Sequence, residues 1–161
     1  ATLQYDTIYH EHLRYYSLTS LQRLLEEHGL RVVHARRIPT HGGSIRVYAS
    51  KDGAQPVDAS VAELLAEEAR AGLRDESWIP GFRRRVAASK LGLLELLAPL
   101  KAEGERVYGI GAPSRASTLV NYVGLDDGIM ECVLEISGSK KLDKYLPGTA
   151  IPVLDADHGL R

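Results

Sequence analysis

The sequence predicts an α/β protein: a helix and a β-hairpin, then further helices and a partial, Rossmann-like parallel sheet. Three observations lead there. Apolar residues follow a helical period in some segments and a period of two in others, with glycine and proline between them. A strand at 106–110 runs into a glycine turn, a helix and an apolar strand at 130–136, which is the order of a βαβ unit. The 161 residues, 44% hydrophobic and 25% charged, are enough for a buried core.

The elements follow in order. Thr19 and Gln22 have capping-box spacing, and Leu21, Leu24, Leu25 and His28 share one helical face. Gly29 is placed to end that helix in the left-handed conformation, and His28 is read as a cation at its end. A strand is expected at 30–38, with Leu30, Val32 and His34 opposing Arg31, Val33 and Ala35. The turn from Pro39 to Gly43 and a second strand at 44–50 complete an antiparallel hairpin. Residues 51–56 read as a linker. They set the expected boundary between a first domain at 1–52 and a second at 57–161. Ser60 and Glu63 repeat the capping-box spacing, with a helical stripe to about Leu73. Ser77 is expected to cap a longer helix with Pro80 in its first turn, lined by Trp78, Phe82, Val86, Leu93, Leu94 and Leu97. After the glycine turn a helix runs through Tyr122 to Gly124, and 151–154 forms a third strand.

Charge and cysteine content narrow the function classes. The net charge of −1 provides no whole-molecule field for nucleic acid or a membrane, so neither is an expected partner. The local basic runs Arg36-Arg37 and Arg83-Arg84-Arg85 read as solvated faces. The single cysteine, Cys132, lies in an apolar run and reads as a core residue; it excludes an internal disulfide and any multi-cysteine metal site. There is no long apolar run and no signal-peptide pattern, so a cytoplasmic location is expected. The abrupt start and finish read as those of a piece of a longer chain.

Two stretches carry candidate chemistry. Residues 5–16 hold four of the eight tyrosines and two of the six histidines, with Asp6, Glu11 and Arg14. Imidazole, carboxylate and phenol are the groups that move protons near neutral pH. The alternative is a polar loop with half-buried rings, since titratable clusters also arise in structural networks. His10-x-His12 lacks a third ligand in a metal frame, so no metal is expected. The second stretch is the turn with Gly109, Gly111, Ser114, Arg115 and Ser117. Its glycines allow close backbone approach, and the following helix start favours an anion. The full dinucleotide fingerprint is missing, because Ser114 occupies the third glycine position, although Glu135 follows the next strand at about the right spacing. His41, beside two glycines in the hairpin turn, is a lesser candidate.

The blocks Asp6-Thr7-Ile8-Tyr9-His10-Glu11-His12, Tyr15-Tyr16-Ser17-Leu18 and Ile38-Pro39-Thr40-His41-Gly42-Gly43-Ser44-Ile45-Arg46-Val47-Tyr48 resemble the nucleotide-sugar C-methyltransferases. So do Gly111-Ala112-Pro113-Ser114, Thr118-Leu119-Val120-Asn121-Tyr122, Lys144-Tyr145-Leu146-Pro147-Gly148-Thr149 and Ile151-Pro152-Val153. The resemblance implies that residues 1–52 are the end of the S-adenosylmethionine domain and 57–161 a truncated carboxy-terminal Rossmann-like domain. It implies a nucleotide-diphosphate 4-keto-deoxysugar as substrate. It also implies S-adenosylmethionine as cofactor, held mostly outside this chain, and amino-terminal zinc and cofactor domains as missing partners. His12 is then the base for the proton α to the ketone, Glu11 its carboxylate partner, and Tyr9 a phenol facing the sugar. Gly109, Gly111, Ser114, Arg115, Ser117 and His41 fall in the substrate-binding role. The chain alone is expected to be inactive. It departs from the family in Arg115-Ala116-Ser117, where Lys-Gly-Asn is usual, and in Glu135, where Asp is common. The rival readings are a non-enzymatic nucleotide- or CoA-binding module keyed on the glycine turn, and a docking domain without a ligand.

Overall fold

The computed structural model describes residues 3–51 and 53–157. Its fold is mixed α/β, as expected, in two compact units: one of residues 12–83, the other of residues 3–11 with 84 onward. The limits of the units fall at 11/12 and 83/84.

In the unit of residues 12–83, helix α1 (Leu18–Glu26) and helix α2 (Ala59–Arg70) pack on the antiparallel hairpin of β1 (Leu30–Ile38) and β2 (Ser44–Lys51). Leu18, Val32, Ala35, Val61 and Leu64 form the core. Each large aliphatic side chain buried there contributes about 1.5–3 kcal/mol. Helix α1 is capped by Ser17 rather than Thr19: the Ser17 hydroxyl accepts from the Ser20 amide, and the Ser20 hydroxyl accepts from the Ser17 amide. The Thr19 hydroxyl instead donates to Glu68 of α2. The second expected box is also replaced. Asp58 caps α2, because its carboxylate reaches the Ser60 amide two residues on. That helix stops at Arg70, short of Leu73, where Gly72 takes a positive φ.

In β1 the strict alternation expected from the sequence is broken. A bulge between Val32 and His34 brings Val32 and Ala35 to the same buried side, each 2% exposed. Gly29 has φ +71°, as a helix-ending glycine requires.

In the other unit, the part of helix α3 (Ile79–Ala102) that carries Leu93, Leu94 and Leu97 packs on a four-stranded sheet. The strands are β3 (Tyr108–Ile110), β4 (Cys132–Glu135), β5 (Lys144–Tyr145) and β6 (Pro152–Asp155), in the order β3-β4-β6-β5. Strands β3, β4 and β6 are parallel; the short β5, which the sequence pattern does not announce, runs antiparallel to β6. Helix α4 (Ala116–Val123) crosses from β3 to β4 and ends at Gly124, left-handed at φ +85°. Val120 and Val123 of this helix bury against Val133, Val153 and Ile151. Cys132 is buried and free, as expected.

Candidate functional site

Residues 5–9 of the unusual amino-terminal stretch are anchored on α4. A single 3-10 turn, Tyr5–Thr7, opens the segment. The Tyr5 ring stacks on Tyr122 at 5.7 Å between centroids, and its hydroxyl donates to the Val86 carbonyl at 3.4 Å. Lys90 lies over the other partner of that stack, 5.4 Å from the Tyr122 ring, and donates to the Tyr122 carbonyl. The Thr118 hydroxyl donates to the Ile8 carbonyl. Arg115, at the start of α4, pairs with Asp6 at 3.8 Å and places its guanidinium 5.6 Å from the Tyr9 ring centre. Such a cation–ring contact contributes about 0.5–1 kcal/mol at an exposed site.

At the far end of this anchored segment sit the titratable groups. The Tyr9 hydroxyl donates to Glu11 Oε2 at 3.2 Å, and Glu11 Oε1 lies 3.9 Å from His10 Nε2. The Tyr9 and His10 rings meet edge to face at 5.7 Å. His12 begins the second unit, where its ring meets Tyr15 edge to face at 6.2 Å. It is half-buried, as is Tyr9, while Glu11 is exposed.

The glycine turn is braced from within. Gly111 has φ +78°, a conformation that L side chains rarely adopt. Gly109 serves packing: a Cβ there would meet Val133 Cγ2 at 2.8 Å and Met130 Sδ at 3.0 Å. The amide of Gly111 donates to the Leu134 carbonyl, and that of Ala112 donates to Glu135 Oε2 at 3.0 Å. Glu135 Oε1 accepts from the Ile136 amide, and Lys141 stands 3.6 Å from the same carboxylate. The Ala112 amide foremost, then that of Ile136, holds this carboxyl below the usual carboxylate range; desolvation opposes the shift and Lys141 adds to it. Ser117 donates its hydroxyl to the Ser114 carbonyl. Ser114 is exposed, and Arg115 is half-buried. An acid at the position where a dinucleotide-binding sheet presents one to a ribose is therefore spent here on the turn itself.

His41 lies in the hairpin turn of the other unit, exposed and with φ +52°, ψ +40°. A left-handed non-glycine residue is uncommon and costs on the order of 1 kcal/mol. An open concavity lined by Asn121, Asp126, Asp127 and Thr149, among others, lies at the carboxy-terminal end of α4, the end away from Arg115. Among the described residues no cluster of three or more His, Cys, Asp or Glu side chains is placed to hold a metal. Nor, among them, is any helix long and apolar enough to cross a membrane.

Residues 5–9 thus meet the start of α4 within one unit, with Arg115 between Asp6 and Tyr9. The sequence did not point to Asp6 or Thr118 as anchors. A charge complement between Asp6 and Arg115 was the one available signal, and separation along the chain hid it.

Comparison with known proteins gives the family. Residues 39–160 match the family described as the C-methyltransferase C-terminal domain, and the chain belongs to that family. It is similar to the C-methyltransferase NovU of Streptomyces niveus, with 40% identity over 151 residues. The match covers 93% of this chain and 36% of NovU, so the chain spans about a third of that relative's length.

Proposed function

We propose that the chain is the carboxy-terminal part of an S-adenosylmethionine-dependent C-methyltransferase acting on a nucleotide-linked 4-keto-deoxysugar. In this reading residues 1–52 close the cofactor domain, residues 57–161 are the carboxy-terminal domain, and zinc and cofactor domains complete the enzyme. The observation that carries the reading is the hydrogen bond from Tyr9 to Glu11 on a segment anchored to α4 by Arg115 and Thr118. A phenol and a carboxylate held together, with the His12 imidazole next in sequence, are groups that deprotonation next to a ketone uses.

The cofactor site lies mostly outside this chain in this reading. Within the turn the Gly111, Ala112 and Ala116 amides are taken by Leu134, Glu135 and Pro113. The cofactor would supply an electrophilic methyl group from outside this chain, and the steps assigned here do not run through it. His12 takes the proton from the carbon α to the ketone, and the C–H electron pair passes into an enolate. Glu11, next in sequence, serves as the carboxylate partner of that imidazole. The Tyr9 hydroxyl leaves Glu11 for the developing enolate oxygen, which gains most from a donor already in place. Arg115 holds the Tyr9 ring from its face and supplies positive charge at the start of α4, next to Ser114 and Ser117; Gly109 and Gly111 shape the backbone of that turn, and His41 that of the hairpin turn.

Thermal shift of this chain with a panel of nucleotides tests the reading. A thymidine diphosphate-sugar should raise the melting temperature, while CoA and NAD should not. The opposite ranking would assign the turn to a nucleotide- or CoA-binding module, and indifference to every nucleotide would assign the chain to docking alone.

A further inference from the structure

We infer that the outer face of the β1–β2 hairpin is an oxyanion site built from Arg36 and Arg46, and that its occupant is a diphosphate. The two arginines stand directly opposite each other in the antiparallel register, so both side chains leave the same face. Side chains so paired begin about 5 Å apart, and like charges at that position destabilise a hairpin. Both residues are exposed. The opposite face is the one committed to the core: Ala35, paired with Val47, is buried there, and Arg37, paired with Ile45, reaches Glu67 of α2.

The neighbouring arginines show what is unusual about this pair. Arg37 is bound to Glu67 at 2.7 Å and Arg23 to Glu27 at 3.2 Å. Neither the Arg36 nor the Arg46 side chain has a hydrogen bond or ion pair among the described residues. The next cross-strand pair on the same face is His34 and Tyr48, whose rings lie 5.4 Å apart. The acid beside them, Asp58, is engaged by the Ser60 amide and by His34. A repulsive pair with no internal counter-charge, backed by a ring pair, is stabilised by an anion that bridges both forks. Two linked phosphates match two guanidinium groups at this spacing better than one carboxylate does. The site itself stands on the arginine pair; its assignment to the diphosphate of a nucleotide-sugar rests on the function proposed above.

The test is the melting temperature of this chain in inorganic pyrophosphate against chloride at matched ionic strength. Pyrophosphate should raise it. Arg36→Gln and Arg46→Gln should each weaken the apparent affinity about tenfold, and each should raise the anion-free melting temperature by about 2 °C as the repulsion is relieved. Arg83→Gln, in the separate basic run, should change neither. Thymidine diphosphate added at saturating pyrophosphate should give no further shift, because both fill one site. A wild-type response no larger than that to chloride, or glutamine variants that keep the full response, would overturn the site. Additive shifts would overturn its assignment to the nucleotide. A pyrophosphate response lost in the variants, with no stabilisation by any nucleotide-sugar, would leave the site standing and remove the substrate reading alone.

Discussion

Glu135 shows how a single residue changes the meaning of a motif. Its position after β4 suggests a ribose contact, yet its carboxylate accepts the Ala112 and Ile136 amides and faces Lys141. Because its pKa is depressed in the folded state, the stabilisation is present above the ordinary carboxylate value and is lost as pH falls through the lower folded value. The Ala112 amide resonance should therefore titrate below the usual carboxylate range. In Glu135→Gln that titration should vanish; an Ala112 amide that titrates unchanged would show that another group governs the turn. Spacing made Glu135 visible in the sequence. Its partner was not visible, because a side chain that closes a turn on the preceding strand looks the same as one that awaits a ligand.

At the scale of elements, glycine, proline and apolar period located helices and strands well, and caps poorly. Strand β1 and the end of α1 at Gly29 could be read directly, since φ > 0 and a run of apolar residues leave few alternatives. The bulge in β1 could not, because an extra residue leaves composition unchanged and only the register records it. Nor could the tie between α1 and α2. Glu68, 8% exposed, accepts the Leu18 amide at 2.6 Å and the Thr19 amide and hydroxyl at 2.8 and 2.7 Å. A carboxylate from a second helix thus finishes the cap that Ser17 begins, at the end of α1 where negative charge is favoured. Glu68→Ala should cost about 1–3 kcal/mol, since it strands buried donors. It should also speed hydrogen exchange at Leu18 and Thr19. Unchanged protection at those two amides would show that the cap is held by Ser17 alone.

The anchoring of residues 5–9 on α4 belongs to the scale of the whole molecule, because it joins ends of the sequence that no local pattern connects. Arg115→Leu should remove the Asp6 pair and the Tyr9 contact together. Hydrogen exchange of residues 5–11 should then accelerate while β4 and β6 stay protected; equal protection in the variant would assign the anchoring to Thr118 and Tyr5. Most of the candidate site was legible as chemistry in residues 9–12 and in the turn after β3, since phenol, imidazole and carboxylate rarely crowd together without use. The anchoring of residues 5–9 was not, as it depends on their contacts with α4. The central claim is that this chemistry removes a carbon-bound proton. Deuterium uptake from heavy water at the sugar carbon α to the ketone, followed in the intact enzyme without methyl donor, tests it most directly. The account predicts uptake in the wild type and a loss of about 10²–10⁴-fold in His12→Ala with sugar binding retained; uptake at the wild-type rate in that variant would contradict it.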